Sequence, residues 1–234
     1  MSKRLSGRTA FITGASRGIG AAVAKRFAAE GAHVILTART VGGLEEVDDA
    51  IQAIGGTSTL IPLDLQELDK IDTLGPALFE RFGKLDILVG NAGMLGHVGP
   101  VAYSDAKVWE RAFIVNVMAN YRLIRTLDPL LRGSDAGRAI FVTSGAAHSA
   151  VAYWGCYAAS KAALGAMVKT YAAEVTKSPL KVNLLDPGVV RTAMRAAAFP
   201  GEDPNQHPPP ETITERFVEL AETDCRWHGE IVQA

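Results

Sequence analysis

Short apolar runs alternate with longer amphipathic stretches along the whole chain, and that alternation restricts the fold more than any other feature. Seven runs read as strands: Thr9–Thr13, His33–Thr37, Ser58–Leu63, Leu85–Val89, Arg138–Thr143, Leu180–Leu185 and Glu230–Gln233. They are rich in Val, Ile, Leu and Phe with little polar alternation, the pattern of strands covered on both faces. The stretches between them carry helical spacing. Ile19, Val23 and Phe27 recur every four residues ahead of Gly31, a residue type suited to stopping a helix. Leu44, Val47, Ile51 and Ile54 make a second helical face, closed by Gly55-Gly56. The alternation predicts an α/β fold, a doubly wound parallel sheet of about seven strands with helices on both sides.

At 234 residues, with no internal repeat and no interdomain linker, residues 1–234 read as a single domain. One stretch breaks the rhythm. Phe199–Pro210 is too rich in proline for a helix interior or a central strand. Long loops in compact domains are often lids or binding loops, so a substrate loop is expected at about 191–211. Charge is balanced, 24 basic against 25 acidic residues, which lacks the basic excess of a nucleic-acid binder. Two cysteines cannot build a disulfide framework. No apolar run reaches the ~18–20 residues of a membrane helix, and the N-terminus has no apolar signal region. The five histidines show no metal-ligand spacing. These features predict a soluble, cytoplasmic protein without nucleic acid, membrane or metal as partner.

Strand one runs directly into Thr13-Gly-Ala-Ser-Arg-Gly-Ile-Gly20. Gly14 permits a tight exit from the strand, and Gly18 and Gly20 remove side chains where backbone must approach a pyrophosphate and where helix meets sheet. The helix that follows offers free N–H groups and a positive dipole end to that anion. A dinucleotide is the implied ligand. NAD-selective folds usually end strand two on an acidic residue. Here Ala38 fills that place, Arg39 follows it and Arg17 lies in the glycine turn. Two guanidinium groups suit a 2′-phosphate, which predicts NADP(H) rather than NAD(H). Further along, Tyr157 and Lys161 stand at i and i+4, on one face if the segment is helical. An ammonium beside a phenol favours the phenolate and lowers the phenol pKa, so Tyr157 is expected to trade a proton with an alcohol or ketone oxygen.

These motifs stand in order with Asp64-Leu65, Asn91-Ala-Gly93, Asn116, Ser144, Pro187-Gly188 and Thr192. In that ordered set the chain, from about Gly7 to Val232, resembles the short-chain dehydrogenase/reductase family, nearest its oxoacyl-carrier-protein reductase-like group. The resemblance implies a Rossmann-type fold and an oxidoreductase interconverting a carbonyl and a secondary alcohol, with a small-molecule substrate. It implies that Tyr157 is the general acid/base, that Lys161 holds the nicotinamide ribose and depresses the tyrosine pKa, and that Ser144 orients the substrate oxygen. Asn116 would help hold a water in a proton relay. Cofactor contacts would fall to Gly14, Ser16, Arg17, Gly18, Ile19 and Gly20, to Arg39, and to Asp64 and Leu65 at the adenine. Asn91, Ala92 and Gly93 would line the adenosine ribose, and Pro187, Gly188, Val189 and Thr192 the nicotinamide and phosphates, beside Tyr157 and Lys161.

The segment Ala146–Trp154, with His148, Tyr153 and Trp154, is expected to wall a mostly apolar substrate cleft together with Met94, Leu95 and the loop after Thr192. A homodimer, with a homotetramer still open, is expected through the Tyr157 helix and the preceding one from about Ser104 to Leu131. Ala158, Ala162, Ala166, Met167 and Tyr171 form the proposed face. The chain stops soon after its last strand, without the glycine-rich tail of many tetrameric relatives. Two other readings use the same fold. One is a non-catalytic NADP(H)-binding redox sensor, the other epimerase or dehydratase chemistry on nucleotide sugars. A sensor needs no catalytic tyrosine, and nucleotide-sugar enzymes usually carry a larger substrate region.

Overall fold

The computed structural model describes residues 3–234. Seven parallel strands form one sheet in the order β3-β2-β1-β4-β5-β6-β7. They are β1 (Thr9–Thr13), β2 (His33–Ala38), β3 (Thr57–Pro62), β4 (Ile87–Gly90), β5 (Arg138–Val142), β6 (Lys181–Asp186) and β7 (Ile231–Gln233). The largest departure from expectation is β4, which begins at Ile87 rather than Leu85. The Asp86 side chain accepts from Thr9 N–H instead of facing a neighbouring ladder.

Alternate strand residues feed two cores, one on each side of the sheet. Ala10, Ile12, Val34, Leu36, Val89 and Val142 pack against helices α1 (Gly18–Ala29), α2 (Val41–Ala53) and α9 (Thr214–Ala221). Phe11, Ile35, Leu88, Phe141 and Leu184 face the other way, onto α3 (Leu68–Asp72), α4 (Leu74–Phe82), α6 (Ala119–Arg132) and α7 (Gly155–Glu174). Burial on both faces explains why the strands read as unbroken apolar runs. Ile54, expected on the buried face of the second helix, is its C-cap and 53% exposed, because the chain has already left the helical path there.

Two helical regions differ from their expected form. The long helix before β5 is three pieces, α5 (Ala106–Phe113), a π-helical turn Ile114–Met118, and α6. The proline-rich segment is folded rather than open. It follows α8 (Ala193–Ala198) directly, holds the 3₁₀ turn Pro204–Gln206 and ends on a second, Pro210–Ile213.

The strand order reverses between β1 and β4, and open α/β sheets bind ligands at such a switch point, beyond the carboxyl ends of the strands. The turns carrying Gly14, Asn91, Ser144 and Pro187 all leave that end of the sheet.

Candidate active site

The turn after β1 is built as a cradle. Gly14 has φ +65°, and a β-carbon there would stand 2.9 Å from Asn91 Nδ2. At Gly20 a β-carbon would overlap the Gly14 carbonyl oxygen, so this glycine brings α1 down onto its own turn. Asn91 Nδ2 donates to the Thr13 carbonyl at 2.9 Å. Thr13 Oγ1 accepts from the N–H groups of Asn91 and Ala92 at 3.0 and 2.9 Å. Asn91 and Ala92 thus lock the turn after β4 to the glycine turn. Arg17, the N-cap of α1, makes no side-chain cap, and the first turn holds no acidic residue. The leading N–H groups and the positive dipole end remain available to an anion, and the cradle fits a dinucleotide pyrophosphate.

The flanking residues lie around this cradle. Arg17 and Arg39 are exposed. Ser16 is half-buried, and Ile19 packs inward against the α1 core. Asp64 accepts from Gln66 N–H at 3.0 Å in a local turn beyond β3, while Leu65 is buried. Beyond β6, Gly188 and Val189 are exposed and Pro187 half-buried. A β-carbon on Gly18 would come 3.7 Å from Thr192 Cγ2, so the glycine turn and the loop after β6 meet across the groove.

Helix α7 carries Tyr157 and Lys161 inward. Tyr157 is 9% exposed and Lys161 2%. Lys161 Nζ donates to the Val142 carbonyl at 2.7 Å and stands 5.8 Å from the Tyr157 ring centroid. A β-carbon on Gly93 would be 3.5 Å from that Nζ and 3.3 Å from Asn116 Oδ1, so bare backbone keeps the floor beside the amine open. Burial lowers the Lys161 pKa to about 8. The phenol departs from expectation. Burial pushes Tyr157 up to about 12, against the pull of the neighbouring Ser144 hydroxyl and with a smaller push from Asp186. Desolvation of the phenolate is the largest influence on it. Ser144 caps the short turn Gly145–Ala147, its Oγ accepting from Ala146 N–H at 3.3 Å.

Asn116 is a strut. The π-helical turn, a one-residue surplus common at functional sites, buries it completely. Its Oδ1 accepts from Met94 N–H at 2.8 Å. Its Nδ2 donates to Met94 O and Ser160 Oγ, both at 2.9 Å. These bonds tie the Met94 backbone to Ser160 of α7 through the Asn116 amide.

Next to the phenol, Trp154 lies edge-on to Tyr157 with ring centroids 6.0 Å apart, and 5.7 Å from the ring of Phe199. The Arg195 guanidinium lies over the Phe199 ring at 3.8 Å and is forked by Glu202 through two bonds of 2.6 Å. Glu202 also meets His207 at 3.0 Å. Tyr153 has φ +74°, the one left-handed non-glycine among the described residues, and its carbonyl accepts from Gly99 N–H at 2.8 Å. His148 is exposed, whereas Met94 and Leu95 are half-buried.

The family model for short chain dehydrogenase matches residues 8–203. The chain belongs to the short-chain dehydrogenase family. It is 38% identical over 225 residues to the uncharacterized oxidoreductase YciK of Escherichia coli K12, across 95% of this chain and 89% of that one. A protein assigned as a short chain dehydrogenase in E. coli CFT073, solved complexed with NADPH, superposes with a TM-score of 0.95 at 36% identity, covering 100% of this chain and 98% of the other. Its counterpart from Shigella flexneri 2a, complexed with NADP, gives 0.95 at 35% identity over 100% and 99%. As a short-chain dehydrogenase, the chain is an oxidoreductase acting on alcohol and carbonyl groups.

Three residues of this short-chain dehydrogenase escaped the sequence reading. Thr13 is the hydroxyl joining the two turns. Ser160, buried, donates to Tyr157 O at 2.8 Å and receives Asn116. Asp186, also buried, accepts from Gly188 N–H at 3.0 Å. Each is a lone polar group in an apolar or alanine-rich run, and a buried polar group must find partners. That was the available signal. Tyr171, expected on an outer face, turns inward and donates to Asp128 Oδ1 at 2.7 Å.

Proposed function

We propose that this short-chain dehydrogenase uses NADP(H) to interconvert a carbonyl and a secondary alcohol, with Tyr157 as general acid and base. The observation carrying the reading is the convergence of three groups at one groove: the Ser144 hydroxyl, the buried Tyr157 phenol, and the fully buried Lys161 amine one helical turn along. When bound, the nicotinamide supplies or accepts the hydride. Ser144 donates to the substrate oxygen and fixes its position. In reduction, Tyr157 delivers its proton to that oxygen as negative charge gathers there. In oxidation it takes the proton back. Lys161, pinned by the Val142 carbonyl, holds positive charge beneath the phenol and stabilises the phenolate left after transfer.

Ala38 at the end of β2, with the exposed guanidinium groups of Arg17 and Arg39, supports NADP(H), as do the NADPH and NADP complexes of the two structural relatives. The segment 191–211 serves as the substrate wall through Phe199 and Trp154. The chain acts as a homodimer through α6 and α7, where Tyr121, Ala162 and Ala166 are exposed.

The test is NADPH consumption with a panel of aldehydes, ketones and oxoacyl thioesters. Tyr157→Phe is expected to lower kcat by roughly 10²–10⁴-fold while leaving NADPH affinity in place. Undiminished turnover in that variant removes the mechanism. NADPH binding without turnover on any carbonyl favours a sensor.

A further inference from the structure

Asp186 closes β6 at the edge of the groove and has no part in the reaction as described. Two observations place it there. Strand residues two apart share a face, and Leu184 lies 3.9 Å from where a β-carbon on Gly165 of α7 would stand. Asp186 therefore lies on the face of the sheet that α7 covers, the helix bearing Tyr157. Its carboxylate also ties two segments and lies beside a third. Oδ1 accepts from Gly188 N–H at 3.0 Å, and Oδ2 accepts from Gln233 Nε2 at 3.3 Å. A β-carbon on Gly145, next to Ser144, would stand 3.6 Å from Oδ2. Asp186 is 6% exposed and forms no ion pair among the described residues.

We infer that Asp186 is a positioning residue for the reaction, a buried carboxylate that ties the Gly188 turn to β7 beside the Ser144 turn and sets an uncompensated negative charge on the face of the sheet where Tyr157 works. The consequence is directional. A nearby negative charge disfavours the phenolate, and Asp186 adds to the upward push on Tyr157. The other groups facing that phenol are Lys161 on its own helix and Ser144 from the turn after β5. Lys161 favours the phenolate and Asp186 the phenol, so the Tyr157 titration is set between the two. The inference rests on Tyr157 being the acid and base, as proposed above.

The experiment reads the phenolate directly. Ultraviolet difference absorbance of tyrosinate is followed against pH in the NADP⁺-bound full chain, with Tyr157→Phe as the blank. Asp186→Asn keeps the shape and an acceptor for Gly188 while removing the charge. It is expected to show roughly threefold more Tyr157 phenolate at a given pH below the midpoint, a shift of about half a pH unit. Gln233→Ala loosens the tie but leaves the charge, and is expected to keep the unsubstituted titration. An unshifted phenolate titration in Asp186→Asn, with thermal midpoint and NADP⁺ affinity retained, overturns the inference. So does a shift of equal size in Gln233→Ala. Neither outcome touches the proposed reaction, which stands or falls on the turnover of Tyr157→Phe.

Discussion

Lys161 shows at the scale of one residue what the site costs the fold. An ammonium sealed inside the protein loses its hydration, and one hydrogen bond to Val142 O does not replace it. Its pKa falls from 10.5 to about 8. At neutral pH the folded chain therefore bears a buried charge that the unfolded chain does not, a penalty of about 3 kcal/mol. The penalty is fully present below about pH 8, where both states are protonated, and fades as pH rises toward 10.5, where the unfolded state also loses its proton. Lys161→Met, similar in length and apolar, is expected to stabilise the fold by about 2 kcal/mol at neutral pH after the lost hydrogen bond is counted, while abolishing turnover. Urea denaturation at neutral pH and near pH 10 checks this; the gain should shrink strongly at the higher pH. A variant less stable than the parent at neutral pH contradicts the account. The titration of Lys161 also bears on the rate. With Tyr157 held protonated up to about 12, the alkaline fall in carbonyl reduction should begin near the lysine's value of about 8.

The elements around the site differ in how plainly the sequence announced them. The glycine turn and α7 were legible, since strand, turn chemistry and helix spacing agree on both. The helix over 106–132 was legible as a helix but not as one with a π-helical turn. No local propensity favours that turn. It forms because Asn116 must reach both polar groups of Met94, a demand set by a loop 22 residues away. The segment 191–211 misled for a similar reason. Its prolines exclude a long helix, yet Arg195, Glu202 and His207 close it into a compact unit that seats Phe199 against Trp154. Side-chain contacts between positions seven and five residues apart leave no periodic trace. The unit predicts a division of labour. Phe199→Ala should raise KM about tenfold for carbonyl compounds carrying a large apolar group and change it less than twofold for butanedione, since an apolar contact of this size is worth about 1–2 kcal/mol. Glu202→Gln, which weakens the fork on Arg195, should move KM in the same direction without changing kcat. Steady-state kinetics on such a size series checks both, and an equal rise for large and small substrates rejects the wall.

Across the molecule, the parallel sheet separates chemistry from anchorage, and this follows from topology. Every turn of the site leaves the carboxyl ends of the strands. The amino ends are held by buried arginines that no pattern in the sequence singled out, because each sits beside a strand rather than in a motif. Arg138, at the start of β5, donates to the carbonyls of Gly137, Pro179, Glu222 and Thr223 at 2.7–3.2 Å. Arg8, just before β1, reaches the carbonyls of Asp86, Ala136 and Ala221. Together they take up the carbonyl of Ala221, the last residue of α9, and those of Glu222 and Thr223 just beyond it, where a helix end leaves carbonyls unpaired. Burial lowers the pKa of both guanidinium groups, Arg8 to about 10. They remain charged at neutral pH, held almost wholly by backbone oxygen. Removing one strands several buried acceptors at once, each costing about 1–3 kcal/mol. Arg138→Met is therefore expected to lower stability by about 3–5 kcal/mol, a large effect for a single substitution. The site lies at the opposite ends of the strands, so kcat/KM and NADPH affinity below the unfolding transition should stay within about twofold of the parent. Denaturant melts alongside kinetics at low temperature would measure both; a fall in kcat/KM that tracks the loss of stability would mean that the two ends of the sheet are mechanically coupled.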